Sequence, residues 1–474
     1  MKYLVKIDVS GIQSFIFDVP SKGAAKQLKA RSVYVQAITH IAEEFFKANL
    51  QGESIEVLYN GGGNLIFYTQ APEKALQEAS KEFQRAFQQE NLFPIVAYLP
   101  VTQNFKTDMR SLAQQANIAK LQKPLITDTY FYKPIQEEKW KNFTEKLLES
   151  KGFEIRKISE PHTNSPFAKA GFVFEPSKQA KNYENKIINK IPKNKDGVTE
   201  FDEIAQKSTG DKKLAALKMD VDNLGNLFRD KEEQDYRKNS KYLSEFFEEK
   251  IYEKVLKNYI SQEYIYPVFS GGDDCFFIGA WDKILEVAST IQKEFDAYQK
   301  EKQLALTLSA GVTIAPPKSP MVRLAEEAEH ALELAKKYNK NKITLFGEPL
   351  TWQDFDEAKK LVEKFRKLIE EQSVSRALLH RIKSSDIGFT RLQEQAENGK
   401  LNFPKVHRLK YYLRNFKEKE KIKEVLEAIF KEYEKALIAK FMHKDTFQGT
   451  NPMVFPVAAR WAELLTKSTK EKEE

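Results

Sequence analysis

Two aspartates follow two glycines in Ser270-Gly271-Gly272-Asp273-Asp274, with apolar, strand-forming residues on both sides, Tyr264 to Phe269 before and Cys275 to Ala280 after. That pattern puts the acidic pair at the tip of a hairpin. Adjacent carboxylates repel by ~1 kcal/mol at 4 Å in bulk water and by ~4 kcal/mol at an intermediate effective dielectric, so an unneutralised pair packed between strands is costly. Taken alone, the string also reads as a turn whose Asp and Gly residues supply tolerated backbone angles. The chemical reading is a divalent-metal site where the glycines let backbone and a phosphate approach closely. Asp220, at the carboxyl end of the apolar run from Leu214, separates the two readings. In a βαββαβ unit the first strand and the hairpin are central neighbours, so Asp220, Asp273 and Asp274 converge on one edge. Such oxygen donors suit Mg²⁺ or Mn²⁺. Two ions ~3.5 to 4 Å apart would support nucleotidyl transfer, one activating a ribose 3′-hydroxyl and the other holding the triphosphate and leaving pyrophosphate.

The elements that must position these residues occur twice. Tyr3-Leu4-Val5-Lys6-Ile7-Asp8-Val9 is an apolar run with one carboxylate near its end, followed by Ser10-Gly11 and Phe15; Leu214 to Val221 repeats this, followed by Asp222-Asn223 and Phe228. Val57-Leu58-Tyr59-Asn60-Gly61-Gly62-Gly63 then matches Pro267-Val268-Phe269-Ser270-Gly271-Gly272-Asp273. Asp8 lies 53 residues before Gly61 and Asp220 lies 51 before Gly271, so the chain reads as a duplication. The first copy's turn ends Gly61-Gly62-Gly63-Asn64 with no carboxylate, which predicts one active copy and one silent copy serving as support and as a second nucleotide pocket.

The fold class expected is α+β, two ferredoxin-like (βαββαβ) domains in tandem with an α-helical carboxyl end, each sheet carrying helices on one face. The boundaries read from the sequence are 1–120 for the first copy, 121–200 for an irregular connector with Lys190 to Gly197 as its clearest linker, 201–350 for the second copy, and 351–474 for the helices. The spacing predicts one helix over about 239 to 259 with Leu243, Phe247, Ile251 and Val255 on a stripe, and another over Met321 to Lys337. Residues 467 to 474 read as a frayed tail.

Composition narrows the setting. Of 474 residues, 41% are hydrophobic and 33 are Phe, ample for packed cores. The single cysteine, Cys275, excludes an internal disulfide and a cysteine-rich zinc site, and predicts a cytoplasmic protein. No signal-type amino terminus or apolar membrane span is legible. A net charge of +8 favours a polyanionic partner without deciding which.

Five strings resemble the large subunit of type III CRISPR effector complexes: Lys218-Met219-Asp220-Val221-Asp222-Asn223-Leu224-Gly225, Ser270 to Asp274, Ser10-Gly11-Ile12-Gln13-Ser14-Phe15-Ile16-Phe17, Leu28-Lys29-Ala30-Arg31-Ser32, and Lys340-Asn341-Lys342-Ile343-Thr344-Leu345-Phe346-Gly347. They fall in the family's order and are closer to the Csm-type branch, and the resemblance extends over both copies and more loosely the helical carboxyl end, about two thirds of the chain. The resemblance implies two palm domains and a helical domain, and conversion of ATP to cyclic oligoadenylate when the complex binds target RNA. It implies metal ligation by Asp220, Val221, Asp273 and Asp274, a phosphate-side turn at Gly271 and Gly272, a triphosphate contact from Lys336, and a first-palm nucleotide site at Ser10 and Gly11. A solvated helix-end lysine and a plain strand-to-helix turn remain the alternatives for Lys336 and for Ser10 and Gly11. The implied partners are ATP, guide RNA, target RNA and other CRISPR effector subunits, with no membrane.

Departures are equally specific. Many relatives begin with an HD-type nuclease domain, whereas here the first palm strand starts at Tyr3 and none of the six histidines (His40, His162, His330, His380, His407, His443) precedes an Asp, so no single-stranded DNA nuclease is expected. A zinc ribbon is likewise not expected. Lys22, Lys26, Lys29 and Arg31, and Lys405, His407, Arg408, Lys410 and Arg414, form basic clusters readable as solvated faces or as contacts to RNA or subunits. A GGDEF-like cyclic dinucleotide synthase is the rival enzyme, disfavoured by Asp274-Cys275 where Glu-Phe is expected, and a non-catalytic RNA and subunit scaffold is the rival class.

Overall fold

The run from Tyr3 to Val9 is too apolar to leave either face in water, and it becomes the strand β1 (Tyr3–Ser10), buried along almost its whole length. The computed structural model describes residues 1–20, 23–50, 54–87, 92–121, 146–157, 171–229, 231–385, 407–442 and 451–467, except 103, 148–149, 151, 178, 181–183, 196, 373 and 417–418. Lys22, Lys405, His162, His443, residues 122–145 of the expected connector and residues 468–474 of the expected tail lie outside these.

After β1 come α1 (Ile12–Phe17), α2 (Ala24–Asn49), β2 (Ile55–Gly61), β3 (Asn64–Thr69), α3 (Glu73–Phe87), β4 (Phe93–Pro100) and α4 (Phe105–Leu121). The sheet order is β2-β3-β1-β4, with β1 antiparallel to both neighbours. In the 146–200 region β5 (Gly152–Lys157) pairs with β6 (Phe172–Ser177), and β7 (Lys193–Asn194) with β8 (Gly197–Val198). The 190–197 stretch read as a linker is therefore a small hairpin, packed through the buried Ile191 and Val198.

The second copy follows: β9 (Leu214–Asp222), α5 (Glu233–Ser244), β10 (Ile265–Gly271), β11 (Asp274–Ala280), α6 (Trp281–Lys302), β12 (Thr307–Ala315) and α7 (Met321–Lys337). Its order β10-β11-β9-β12 repeats the first sheet strand for strand, and β13 (Lys342–Leu345) and β14 (Glu348–Thr351) extend it, β13 parallel to β12. The expected helix over 239 to 259 is present, but its middle is π-helical at Glu245–Lys250 and Tyr252–Leu256. Strict four-residue spacing overshoots an α-turn by about 40° per step, and the wider i→i+5 turns absorb that drift. Leu243, Phe247, Ile251 and Val255 consequently stay buried together.

The expectation of helices on one face of each sheet fails for the second. Ala215, Leu217 and Met219 of β9 face one core while Leu214 and Ala216 face another, shared with the first copy. Two helices account for this: the second copy's own α7 lays Met321, Leu324, Ala325 and Ala328 on that face, and α2 of the first copy, buried through consecutive residues from Leu28 to Val35, is wedged between its own sheet and β10. The carboxyl helices α8 (Trp352–Glu370), α9 (Ala377–Ser385), α10 (Glu420–Met442) and α11 (Val454–Leu465) share the second copy's other core. Trp352 Nε1 donates to the Leu308 carbonyl at 3.0 Å, and Phe355 meets Trp461 with ring centres 5.3 Å apart.

Candidate active site

Antiparallel pairing fixes the geometry of the acidic corner. Asp220 of β9 lies directly opposite Asp274 of β11, and Asp274 is in turn opposite Gly271 of β10. Asp273 sits in the connecting turn, and its carbonyl accepts from the Val221 amide at 3.1 Å. The turn is possible because Gly272 adopts φ +67°; a Cβ there would also stand 3.1 Å from the Gly62 Cα. The glycine turns of the two copies thus meet tip to tip, and the match is residue by residue. Asp8 faces Asn64 as Asp220 faces Asp274, and Val9 donates to the Gly63 carbonyl at 3.0 Å as Val221 does to that of Asp273.

Electrostatics distinguish the copies. In the first, Asp8 is bridged by Lys6 at 2.9 Å and by Lys120, in the last turn of α4, at 2.8 Å, so one carboxylate meets two ammoniums. In the second, Lys336 in the last turn of α7 pairs with Asp220. Lys218 is committed to Glu329, which also accepts from Gln13 Nε2 of the first copy at 2.9 Å. Among the described residues, neither Asp273 nor Asp274 pairs with a lysine or arginine. Lys336 alone faces three carboxylates, so the corner carries excess negative charge when they are ionised.

The acidities follow. Burial, then the charge of Asp220, pushes Asp273 up to about 6. Burial, then Asp273, pushes Asp274 up to about 8, and Asp220 is raised by burial despite Lys336. A raised folded-state value means that, without a cation, the folded protein retains a proton that the unfolded chain has released, so stability falls as pH climbs from about 4 to about 8. Asp274→Asn is therefore expected to raise Tm at pH 8 in the absence of divalent ions and to leave it unchanged near pH 4, read by thermal unfolding at both pH values.

A fixed cage is not preformed: among the described residues no three His, Cys, Asp or Glu side chains are set to hold an ion. The donor set nonetheless fits a hard divalent cation, being all-oxygen, in excess of its neutralising lysine, and destabilised by its own desolvation.

Beside this corner a cavity of about 220 Å³ opens between the copies, walled by Gly62, Gly63, Ser270, Gly271 and Asp274 among others. Of the expected nucleotide-binding residues, Gly271 lines it; Gly272 shapes the turn and Lys336 joins the carboxylates. Ser10 and Gly11 do not line it. They make the strand-to-helix turn, Gly11 at φ 82°, and the following residues Ile12 and Gln13 form the wall.

One residue escaped the sequence reading as a site element. Asp222, 2% exposed, accepts from Thr307 Oγ1 at 2.8 Å, Ser309 Oγ at 2.7 Å and the Asn341 amide at 2.9 Å. It thereby ties β9 to β12 and to the left-handed stretch Asn339 to Asn341 that follows α7, the helix bearing Lys336. Its two-residue offset from Asp220 on one strand face was the available signal. Asp222→Ala is expected to cost about 3 kcal/mol and Asp222→Asn roughly half that, because one buried and two part-buried donors lose a buried charged acceptor; urea unfolding measures both.

A carboxylate corner on a duplicated sheet, whose other copy lacks the acidic pair and pairs Asp8 with two lysines, is the class that fold and site define. The Cas10/Cmr2 second palm domain model matches residues 213–344, and the Csm1 subunit domain B model matches residues 1–150. The chain belongs to the Cas10/Csm1 family of type III CRISPR large subunits. It is 24% identical over 432 residues to the single-strand-specific deoxyribonuclease Cas10/Csm1 (subtype III-A) of Thermococcus onnurineus, covering 73% of this chain and 55% of that one. The Enterococcus italicus protein of the same name is 24% identical over 429 residues, covering 75% and 55%. The chain thus spans little more than half the length of these curated relatives. Among solved structures, a Csm1–Csm4 cassette with pppApA superposes with a TM-score of 0.68 at 20% identity, covering 98% of this chain and 69% of that one. The cassette with cA4 gives 0.66 at 19% identity, covering 98% and 70%. No described helix is long and apolar enough to cross a membrane.

Proposed function

We propose that this chain is a metal-dependent nucleotidyltransferase that converts ATP to 3′–5′ cyclic oligoadenylate with release of pyrophosphate, acting within an RNA-guided type III CRISPR complex that target RNA activates. On this reading the two sheets are tandem ferredoxin-like palms, the second catalytic and the first not. The direct opposition of Asp220 and Asp274, with a net negative corner beside an inter-palm cavity, carries the proposal. Similar cassettes bound to AMPPNP, pppApA and cA4 support ATP as substrate and a cyclic tetra-adenylate-like product, and they support a Csm4-type subunit as partner. Guide RNA and target RNA enter as the rest of that complex.

Asp220, Asp273 and Asp274, with the Val221 main chain, would hold Mg²⁺ or Mn²⁺. When bound, such ions lower the pKa of the attacking 3′-hydroxyl and neutralise the triphosphate and its leaving group. The chain's own groups do the rest. Gly271 and Gly272 keep the turn free of side chains so that phosphate can reach the backbone, and Lys336 exchanges its Asp220 partner for phosphate oxygens as the nucleotide arrives. In the first palm Lys6 and Lys120 already saturate Asp8, which suits a nucleotide-supporting role for that copy, with Ser10 and Gly11 at its edge.

The test is product analysis from α-labelled ATP, using the chain assembled with its partner subunits, with and without target RNA. Cyclic oligoadenylate formed only with target RNA is expected. A preference for GTP would instead favour the cyclic dinucleotide reading, and no nucleotide product at all would favour a scaffold.

A further inference from the structure

The catalytic hairpin is not regular. Pairing of β10 with β11 slips between Pro267 and Phe269, leaving Val268 as a bulge, and a bulge releases main-chain groups from the ladder. Two main-chain carbonyls at this slip in the edge strand are taken by the other copy. Lys29 Nζ of α2 donates to the Pro267 carbonyl at 3.1 Å, and Ser32 Oγ, one helical turn on, donates to the Val268 carbonyl at 2.6 Å. Lys29 is 1% exposed and reaches one further carbonyl, that of Ile187, at 3.5 Å. No carboxylate pairs with it among the described residues.

The arrangement is reciprocal. Pairing of β2 with β3 slips at the matching place, between Val57 and Tyr59, and the Val57 carbonyl accepts from Arg237 Nη1 of α5 at 2.7 Å. Lys29 precedes Gln36, beside Gly271, by seven positions, and Arg237 precedes Ser244, beside Gly61, by the same seven. The two cations therefore occupy equivalent places in the duplicated unit. Their surroundings differ: Arg237 also pairs with Glu56 and Glu233 near solvent, whereas Lys29 is an ammonium held by carbonyls inside the protein. Burial, then the charge of Lys190, lowers the Lys29 pKa to about 7, the mark of a charge with no carboxylate to offset its desolvation. A buried charge of that kind adds little stability, and an apolar residue of similar volume is often tolerated as well or better. Its effect lies in geometry: the bulge it fixes is two residues from Ser270 and five from Asp273.

We propose that Lys29, with Ser32, is a positioning residue of the first palm that fixes the bulge in β10 and so aims the acidic turn of the second palm. The proposal rests on the nucleotidyltransferase reading for its kinetic consequence and on the bulge geometry for its structural one. Lys29→Met, in the full chain with its partner subunits, is expected to lower kcat for oligoadenylate synthesis about tenfold or more while leaving KM for ATP within about twofold, since a shift of ~1 Å at reacting groups has effects of that size. Tm should move by only a few degrees. Hydrogen–deuterium exchange should show faster exchange of amides 268–275, with Ser32→Ala giving the same pattern more weakly and covering the case in which Lys29→Met fails to fold. Wild-type kcat in Lys29→Met, in a preparation where Asp273→Ala/Asp274→Ala destroys activity, overturns the proposal. So does unchanged exchange at 268–275, which is decisive even if the wild-type protein makes no product and the enzymatic reading falls by itself.

Discussion

Replacing Asp273 and Asp274 together with alanine is expected to reduce oligoadenylate formation by about a thousandfold or more, a loss of ~4 kcal/mol of transition-state stabilisation. The size follows from what the pair supplies. Without it, Asp220 remains alone with Lys336, an arrangement close to that of the first palm, where Asp8 is saturated by Lys6 and Lys120. The same variant should not unfold the protein. Both carboxylates are raised by burial first, then Asp273 by the charge of Asp220 and Asp274 by that of Asp273, so removing them relieves the folded state in cation-free buffer as pH climbs above about 4. Activity and Tm are expected to move in opposite directions, and steady-state product assays paired with thermal unfolding at pH 8 will read both. A large fall in Tm would mean that the pair is structural.

Gly311→Ala should cost roughly 2–4 kcal/mol of stability by urea unfolding. Gly311 lies on β12 opposite Lys218, and a Cβ there would come within 2.2 Å of the Leu332 amide nitrogen and 2.4 Å of the Ala328 carbonyl oxygen. Both are backbone atoms of α7, so no side-chain rotation relieves the clash and the helix must move. Because α7 carries Glu329 and Lys336, activity should fall with stability. Gly225, around which a Cβ meets nothing within 4 Å, is the matched control, and Gly225→Ala should stay within about 0.5 kcal/mol of wild type.

Much of this was legible before any coordinates. The duplication shows in the near-equal spacing from carboxylate to glycine turn, and the strand order of the two sheets repeats as that spacing requires. Met321–Lys337 is helical to the residue, bounded by Pro320 at its start. Convergence of Asp220 with Asp273 and Asp274 was readable because strand ends and hairpin tips have fixed neighbours. What escaped depends on partners distant in sequence. Asp222 becomes a hub through Thr307, Ser309 and Asn341, which no local pattern connects to it. Lys120 of α4 pairs with Asp8 across 112 residues, so the first copy differs from the second in a neutralised Asp8 as well as in its missing carboxylates. Ser10 and Gly11 looked like a nucleotide contact because of their motif, yet the cavity wall begins one residue later. The two-sided burial of the second sheet could not be seen either, since α7 crosses to the face opposite α6 and α2 of the first copy packs beside it.

The most direct measurement is a crystal structure of the chain with Mn²⁺ and a non-hydrolysable ATP analogue, locating the metal by its anomalous scattering. Manganese bonded to carboxylate oxygens of Asp220 and of Asp273 or Asp274, with Lys336 turned from Asp220 to the phosphates, is the predicted result. Manganese and nucleotide bound elsewhere, with Asp220 still held by Lys336 and the 273–274 carboxylates free of metal, would contradict the account.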